Sequence, residues 1–406
     1  MIYFIILIAI LLLTYIYDYR EKTTGRTLWY IVIFVALVLL AGLRYRIGTD
    51  SIRYESYYQN VPMPWELKYN YFQKVRWEPG FVIFTSICRS ISDDFTLFQI
   101  VHALIINSAV FLFFWKNTRH PFFAIFLYCF FSYIALNTEV LRESIAVAMF
   151  LFAWPFFKKS NFIVYYLFIV IGMFFHIGSS VCLLCPLFVM PGVRYFFTYG
   201  KRTIFICLAL IVIGFAVNKM FFNYVKLLSF SATMVDRATA YAKDELGTST
   251  YNMMGVLGSL MKWAVYPMVA MYFLNKDSKR YLTTEENKEE RYAQAMAIMS
   301  VYIACLTIVI NLFHRFNSYF ILFAILIVSQ WTFTLLKVKK KRYRLGFVYW
   351  CIIFMPMLAF LIRAEFKDVG FSNRLKEYMS YYPYASRLDP QEDRNREAVF
   401  RYHKSW

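Results

Sequence analysis

The chain has 406 residues, 60% of them hydrophobic and 21% aromatic, with only 17% charged. Soluble domains carry about 45–50% apolar and about 25% charged residues, so this composition excludes a disordered chain and an ordinary cytosolic globule. The charge is lopsided, 44 Lys and Arg against 25 Asp and Glu for a net +19, but the basic residues cluster between long apolar runs. That pattern marks a polytopic membrane protein and argues against a nucleic-acid partner.

A membrane-spanning helix needs about 20 apolar residues, or about 17 at the short end. Taken in chain order, such segments fall at roughly 2–17, 27–43, 96–115, 121–136, 140–157, 161–176, 177–190, 203–219, 253–274, 293–311, 315–336 and 346–363. The expected architecture is therefore all-α, about 12 transmembrane helices in one membrane domain over 1–363, followed by a polar, Tyr-rich tail over 364–406. Segment 79–91 is apolar but too short to span, which suits a re-entrant or interfacial helix. The first segment does not read as a cleavable signal, because Arg20, Lys22 and Arg26 follow its apolar run instead of preceding it.

Basic clusters occur at 20–26, 116–119, 158–159, 194–202, 276–291 and 337–344. The positive-inside rule puts all of them in the cytoplasm if the N-terminus is outside and 79–91 does not cross. The outer face then receives loops 44–78 and 220–252, the turn before Arg142, His176, the turn 311–315 and the tail. The cysteines lie in apolar stretches, and Cys182-Leu-Leu-Cys185 has no second pair to complete a metal or redox motif, so they read as small hydrophobes.

The strongest local signal is Gly42-Leu-Arg44-Tyr-Arg46-Ile-Gly48-Thr-Asp50, followed by Arg53 and Tyr54. Three arginines on the outer side run against the positive-inside rule, and guanidinium groups bind phosphate oxygens bidentately. An interfacial Arg–Asp cluster anchoring the loop is the plainer alternative. In Trp77-Glu78-Pro79-Gly80 the proline opens the short helix; Glu78 reads first as a cap or anchor and second as a general base. Asn137-Thr-Glu139-Val-Leu-Arg142 starts a later span, with Asn137 or Thr138 as cap and Glu139 favouring the helix dipole. Arg142 lies within the first turns of a membrane helix, where a charge is costly and faces an internal cavity. An i, i+3 pair with Glu139 is worth only about 0.2–0.5 kcal/mol, too little to justify it.

His176 ends a helical hairpin and is either a capping residue or a proton carrier. His314 and Arg315 repeat the theme at another outer turn. Lys262 shares a small-residue face with Gly255, Gly258 and Ser259, which points it inward; snorkelling to the surface is the alternative. Arg237 lies among charges of loop 220–252 that also read as a solvated face. No P-loop, metal-ligand set or nucleotide fingerprint appears, so no cofactor is expected.

Together these segments resemble the EpsG family of exopolysaccharide-synthesis membrane proteins. The likeness rests on Arg44 through Asp50 with Tyr54, Glu78-Pro-Gly-Phe81, Asn137 through Arg142 with Ser144-Ile-Ala146, and Phe175-His176, in that order. Glu143 departs from the glutamine expected after that arginine. The family is similar in role to Wzy-type O-antigen and capsule polymerases, and in architecture to integral-membrane glycosyltransferases of the C superfamily. The resemblance implies an enzyme of the bacterial inner membrane, and the charge pattern above puts both termini of this multi-pass chain outside. It would be a metal-independent glycosyltransferase joining undecaprenyl-pyrophosphate-linked glycans, donor to acceptor, with a chain-length regulator and a flippase as partners. In that reading Arg44, Arg46, Arg53, Arg142, Lys262 and Arg315 hold pyrophosphate, and Asp50 or His176 takes the acceptor proton. A lipid-linked oligosaccharide flippase and an integral-membrane acyltransferase are the rival readings.

Overall fold

The computed structural model describes residues 2–75, 77–198, 200–228, 284–307, 313–337 and 372–404, with 268, 366, 368 and 369. The chain divides into two compact units, 1–183 with 365–405 and 184–364.

The first unit contains helices α1 (Ile2–Leu13), α2 (Arg26–Gly42), α3 (Ser51–Asn60), α4 (Tyr69–Lys74), α5 (Pro79–Ile91), α6 (Phe95–Asn117), α7 (Pro121–Phe131), α8 (Leu141–Lys158) and α9 (Phe162–Phe175). Their ends follow ordinary capping chemistry. Asp94 opens α6 by accepting from the Thr96 amide at 2.9 Å and its hydroxyl at 2.8 Å, Pro121 stands at the start of α7, and Asn161 opens α9. Helices α2, α6 and α8 supply much of the core, which buries Leu37, Ile106, Val110, Ile145 and Trp154. By contrast α1, α2 and α9 expose Phe4, Ile5, Ile8, Leu28, Ile31, Ile163 and Leu167. Rows of large apolar side chains turned outward on helices are what a hydrocarbon environment requires.

The second unit contains α10 (Cys185–Val189), α11 (Lys201–Leu228), α12 (Thr284–Thr307) and α13 (His314–Lys337). Helices α12 and α13 pack together and share the buried Ser300 Oγ to Asn317 Oδ1 hydrogen bond, 2.6 Å. Helix α11 continues to Leu228, so residues 220–228 of the expected loop are helical, and the rest of that loop lies outside the described residues. Segments 253–274 and 346–363, two of the expected spans, lie outside the described residues apart from 268.

Among the described residues three helical stretches are long and apolar enough to cross a membrane: Ile2–Tyr19, Phe95–Asn117 and His314–Phe333. Shorter apolar helices are Arg26–Gly42, Pro79–Ile91, Pro121–Phe131, Phe162–Phe175 and Ile177–Val189. The expectation of an all-α chain needs one amendment. In the tail, β1 (Asp368–Val369) and β2 (Ser372–Lys376) pair as a small antiparallel ribbon, before helix α14 (Arg394–Lys404).

Helix α5 lies against the 44–78 segment along its length. Ser86 donates to the Pro62 carbonyl at 2.6 Å, Arg89 donates to the Val61 carbonyl, and the Tyr58 hydroxyl reaches the Ser92 carbonyl beyond its end. A helix of its 13 residues is about 20 Å long, short of the ~30 Å hydrocarbon core.

Candidate active site

The segment after α2 is held in place by a turn and by the tail. Gly48 adopts φ +98°, open to glycine, and an added Cβ would lie 2.9 Å from Glu139 Oε1. Its amide donates to the Ser380 carbonyl at 3.1 Å. The Tyr45 amide donates to the Ala385 carbonyl at 2.9 Å and the Arg387 amide to the Leu43 carbonyl at 2.8 Å, so the tail pairs antiparallel with the backbone around Arg44. The tail and the 44–55 segment therefore lie at the same end of this unit.

Glu139 is the clasp of this turn. Its carboxylate accepts from the Thr49 amide at 2.8 Å, the Thr49 hydroxyl at 2.6 Å, the Asp50 amide at 3.4 Å and the Tyr381 hydroxyl at 2.9 Å. The short π-helical turn Ala135–Glu139 aims it there, and buried Asn137 fixes that turn. Asn137 donates to the Tyr128 hydroxyl at 3.0 Å and the Tyr133 carbonyl at 2.9 Å, and accepts from Asn107 at 2.8 Å. The expected capping by Asn137 or Thr138 does not occur: helix α8 starts after Val140 with no side-chain cap, and Thr138 bonds back to the Ile134 carbonyl. Burial among polar groups of α6 and α7 outcompetes the cap.

Beside this turn sits a second cluster. Arg142 does not pair with Glu139; its Nη1 donates to Glu78 Oε2, with the two side chains 18% and 15% exposed. Glu78 stands at the start of α5 but makes no capping bond, because its carboxylate is turned to the guanidinium. Arg142 also lies over the Trp77 ring, 4.5 Å from its centre, and Arg53 lies over the same ring at 5.2 Å. The Tyr54 hydroxyl is beside Arg142 and within the field of Asp50. Burial pushes that hydroxyl up to about 12, against the opposing effect of Arg142, so it is a neutral donor at neutral pH. Asp50 sits immediately before α3, and among the described residues its carboxylate makes no hydrogen bond or ion pair.

The remaining cations are placed differently. Arg44 is 1% exposed, with Nη1 on the Ala41 carbonyl and neither Nε nor Nη2 hydrogen-bonded within the described protein. Burial lowers its pKa to about 10, still far enough above neutrality that it remains charged. Arg46 is committed to carboxylates: Glu392 at 3.2 Å, Glu397 at 3.5 Å and Glu55 at 3.8 Å. His176 is buried and its Nδ1 accepts from the Gly178 amide at 3.2 Å, which leaves the proton of the neutral ring on Nε2. Its neighbour Phe174 presents its carbonyl oxygen 2.8 Å from where a Gly80 Cβ would be, so the end of α9 abuts the start of α5. His314 and Arg315 begin α13 in the second unit. Lys262 and Arg237 lie outside the described residues. Among the described residues no group of three His, Cys, Asp or Glu side chains is placed to hold a metal ion.

Six residues were not legible as participants in the sequence. Trp77 appeared only as a neighbour of Glu78. Tyr381, Arg387, Glu392 and Glu397 belong to a tail whose composition suggests solvent. His102, in the middle of α6, is fully buried with Nε2 3.0 Å from the Leu141 carbonyl and 2.7 Å from Ser144 Oγ. An ionisable residue inside an apolar span was the signal that marks it.

Apolar helices turned outward, with arginines and carboxylates gathered at one end of a unit, define a helical membrane protein with a polar site at that end. The sequence matches the EpsG family, membrane proteins of polysaccharide synthesis, over residues 27–386, and the chain belongs to that family. No curated protein and no solved structure matches it.

Proposed function

We propose that this protein is a polysaccharide polymerase. It transfers a growing glycan from one undecaprenyl-pyrophosphate carrier to the terminal sugar hydroxyl of the next lipid-linked repeat unit, on the outer face of the bacterial inner membrane. The observation that carries the reading is the convergence of three separated motif segments, 48–54, 77–81 and 139–142, on one cluster: Arg53 and Arg142 lie over the Trp77 ring, and Arg142 and Asp50 both act electrostatically on the Tyr54 hydroxyl. The glycosyltransferase C architecture and the outside location of both termini belong to the same proposal.

Arg142 and Arg53 hold the donor pyrophosphate and stabilise the charge that develops on it, the kind of electrostatic help that dominates at such a site. The acceptor oxygen attacks the anomeric carbon, the carbon–oxygen bond to pyrophosphate breaks with its electron pair on the leaving group, and Asp50 takes the hydroxyl proton. Asp50 ranks ahead of His176 because His176 Nδ1 is already engaged by a backbone amide. Arg44 and Arg46 support the loop in this arrangement, one from within the core and one through carboxylates. Arg315, His314, Lys262 and Arg237 have no assigned step.

The test is Arg142→Ala in a strain lacking the native copy, with insertion verified by membrane fractionation. Single repeat units on the lipid carrier are expected in place of polymer; polymer of normal length refutes the reading.

A further inference from the structure

The Arg142–Glu78 pair has a consequence for which lipid carriers the site accepts. A phosphate that takes Nη1 of Arg142 displaces the Glu78 carboxylate, which is mounted at the start of α5 between Trp77 and Pro79, and one that approaches the other N–H groups meets that carboxylate's negative charge. Both side chains are largely shielded from water, so the pair is screened less than a surface salt bridge. A monophosphate-linked sugar is a phosphodiester with one negative charge. It offers Arg142 no more charge than the carboxylate it replaces, and the released Glu78 repels it. A diphosphate-linked sugar carries two charges. The second charge has a receiver: Arg53 lies over the same Trp77 ring and has no ion pair among the described residues. With both guanidinium carbons above one indole, at 4.5 and 5.2 Å from its centre, the two cations are within about 10 Å of each other.

We infer that Glu78 is a specificity-determining residue that makes the site count phosphates. It occupies Arg142 as an internal anion, so that only a carrier with a second charge for Arg53 displaces it, and monophosphate-linked sugars are turned away. The inference rests on the donor-binding reading above and adds to it the basis of carrier selection. Arg142 and Arg53 bind the carrier, Trp77 sets their spacing, and Glu78 sets the threshold.

The experiment measures binding of two probes, polyprenyl diphosphate–glucose and polyprenyl monophosphate–glucose, to the purified full-length protein in lipid nanodiscs. The unaltered protein is expected to bind the diphosphate at least about tenfold more tightly. Glu78→Gln keeps the size and removes the charge; it should strengthen monophosphate binding and shrink the ratio to about threefold or less. Arg53→Ala, on an exposed side chain that lies over Trp77, should shrink the ratio from the other side by weakening only the diphosphate. An unchanged ratio in both variants, or equal weakening of both probes in Glu78→Gln, overturns the inference and leaves the donor-binding reading standing. Failure of the unaltered protein to bind either probe overturns both. Should Glu78→Gln not fold, Arg53→Ala decides: a loss shared equally by the two probes refutes the counting mechanism.

Discussion

Replacing Gly48 by alanine separates two costs that the turn before Asp50 combines. The first is conformational: a non-glycine residue in left-handed backbone costs about 1–2 kcal/mol, and Gly48 is at φ +98°. The second is steric. The new Cβ would stand 2.9 Å from Glu139 Oε1, 3.1 Å from Thr138 Cβ and 3.2 Å from the Thr138 carbonyl oxygen. Oε1 cannot retreat freely, because it also accepts from the Thr49 amide at 2.8 Å and the Tyr381 hydroxyl at 2.9 Å. Giving up one such bond to a charged acceptor costs about 1.5–3 kcal/mol, for a combined loss of about 2.5–5 kcal/mol. Gly192 is the control without the steric cost, at φ +88° and ψ −62° with nothing within 4 Å of the added Cβ, so Gly192→Ala should show a conformational cost alone. The assay is thermal unfolding of the purified full-length protein in detergent micelles, paired with glycan chain-length analysis. Gly48→Ala should lower Tm at least about twice as far as Gly192→Ala, and should also shorten polymer because Thr49 and Asp50 shift with the turn. Equal falls in Tm would refute the claim that Glu139 clasps this turn.

Two further outcomes follow from the same geometry. Asn137→Ala should cost about 3 kcal/mol, because it strands polar partners on Asn107 and Tyr128 in the core; in denaturant titration the double variant with Asn107→Ala should lose less than the two single losses together. Tyr54 holds its proton more tightly in the folded state than in the unfolded chain, since burial raises its pKa to about 12 from the ordinary value of about 10. Its contribution to stability is therefore complete at neutral pH and declines only as pH rises above about 10. Tyr54→Phe should leave the pH profile of chain extension unchanged through neutrality and flatten the loss of stability in alkaline unfolding; a new limb near neutrality would contradict the assignment of Tyr54 as a neutral donor.

Much of the helical framework was readable because lipid imposes a simple demand. Every backbone polar group must be satisfied within its own helix, so apolar runs such as 96–115 and 315–336 become α6 and α13 over almost the same residues. The short apolar run 79–91 was likewise identified by length, and it forms α5 along the loop. The site was legible in part as residue types: an arginine in the first turns of an expected span, at position 142, is too costly to be incidental. Its partner was not legible. Glu139, three residues away, was the local candidate, and the structure gives Arg142 to Glu78, 64 residues earlier in the chain.

The same division runs through the whole molecule. Composition and run length depend on the chain's interaction with lipid and water, which each segment meets on its own, so sequence alone determined the membrane class and most of the described helical segments. Partner choice depends on which segments meet in space. Only the tertiary structure decided that Arg46 is taken by carboxylates of the tail, that Arg44 is sealed in the core, and that Trp77 carries two guanidinium groups on one ring. A guanidinium has the same charge wherever it stands; its role is set by burial and by the nearest anion, and neither is a local property of the chain.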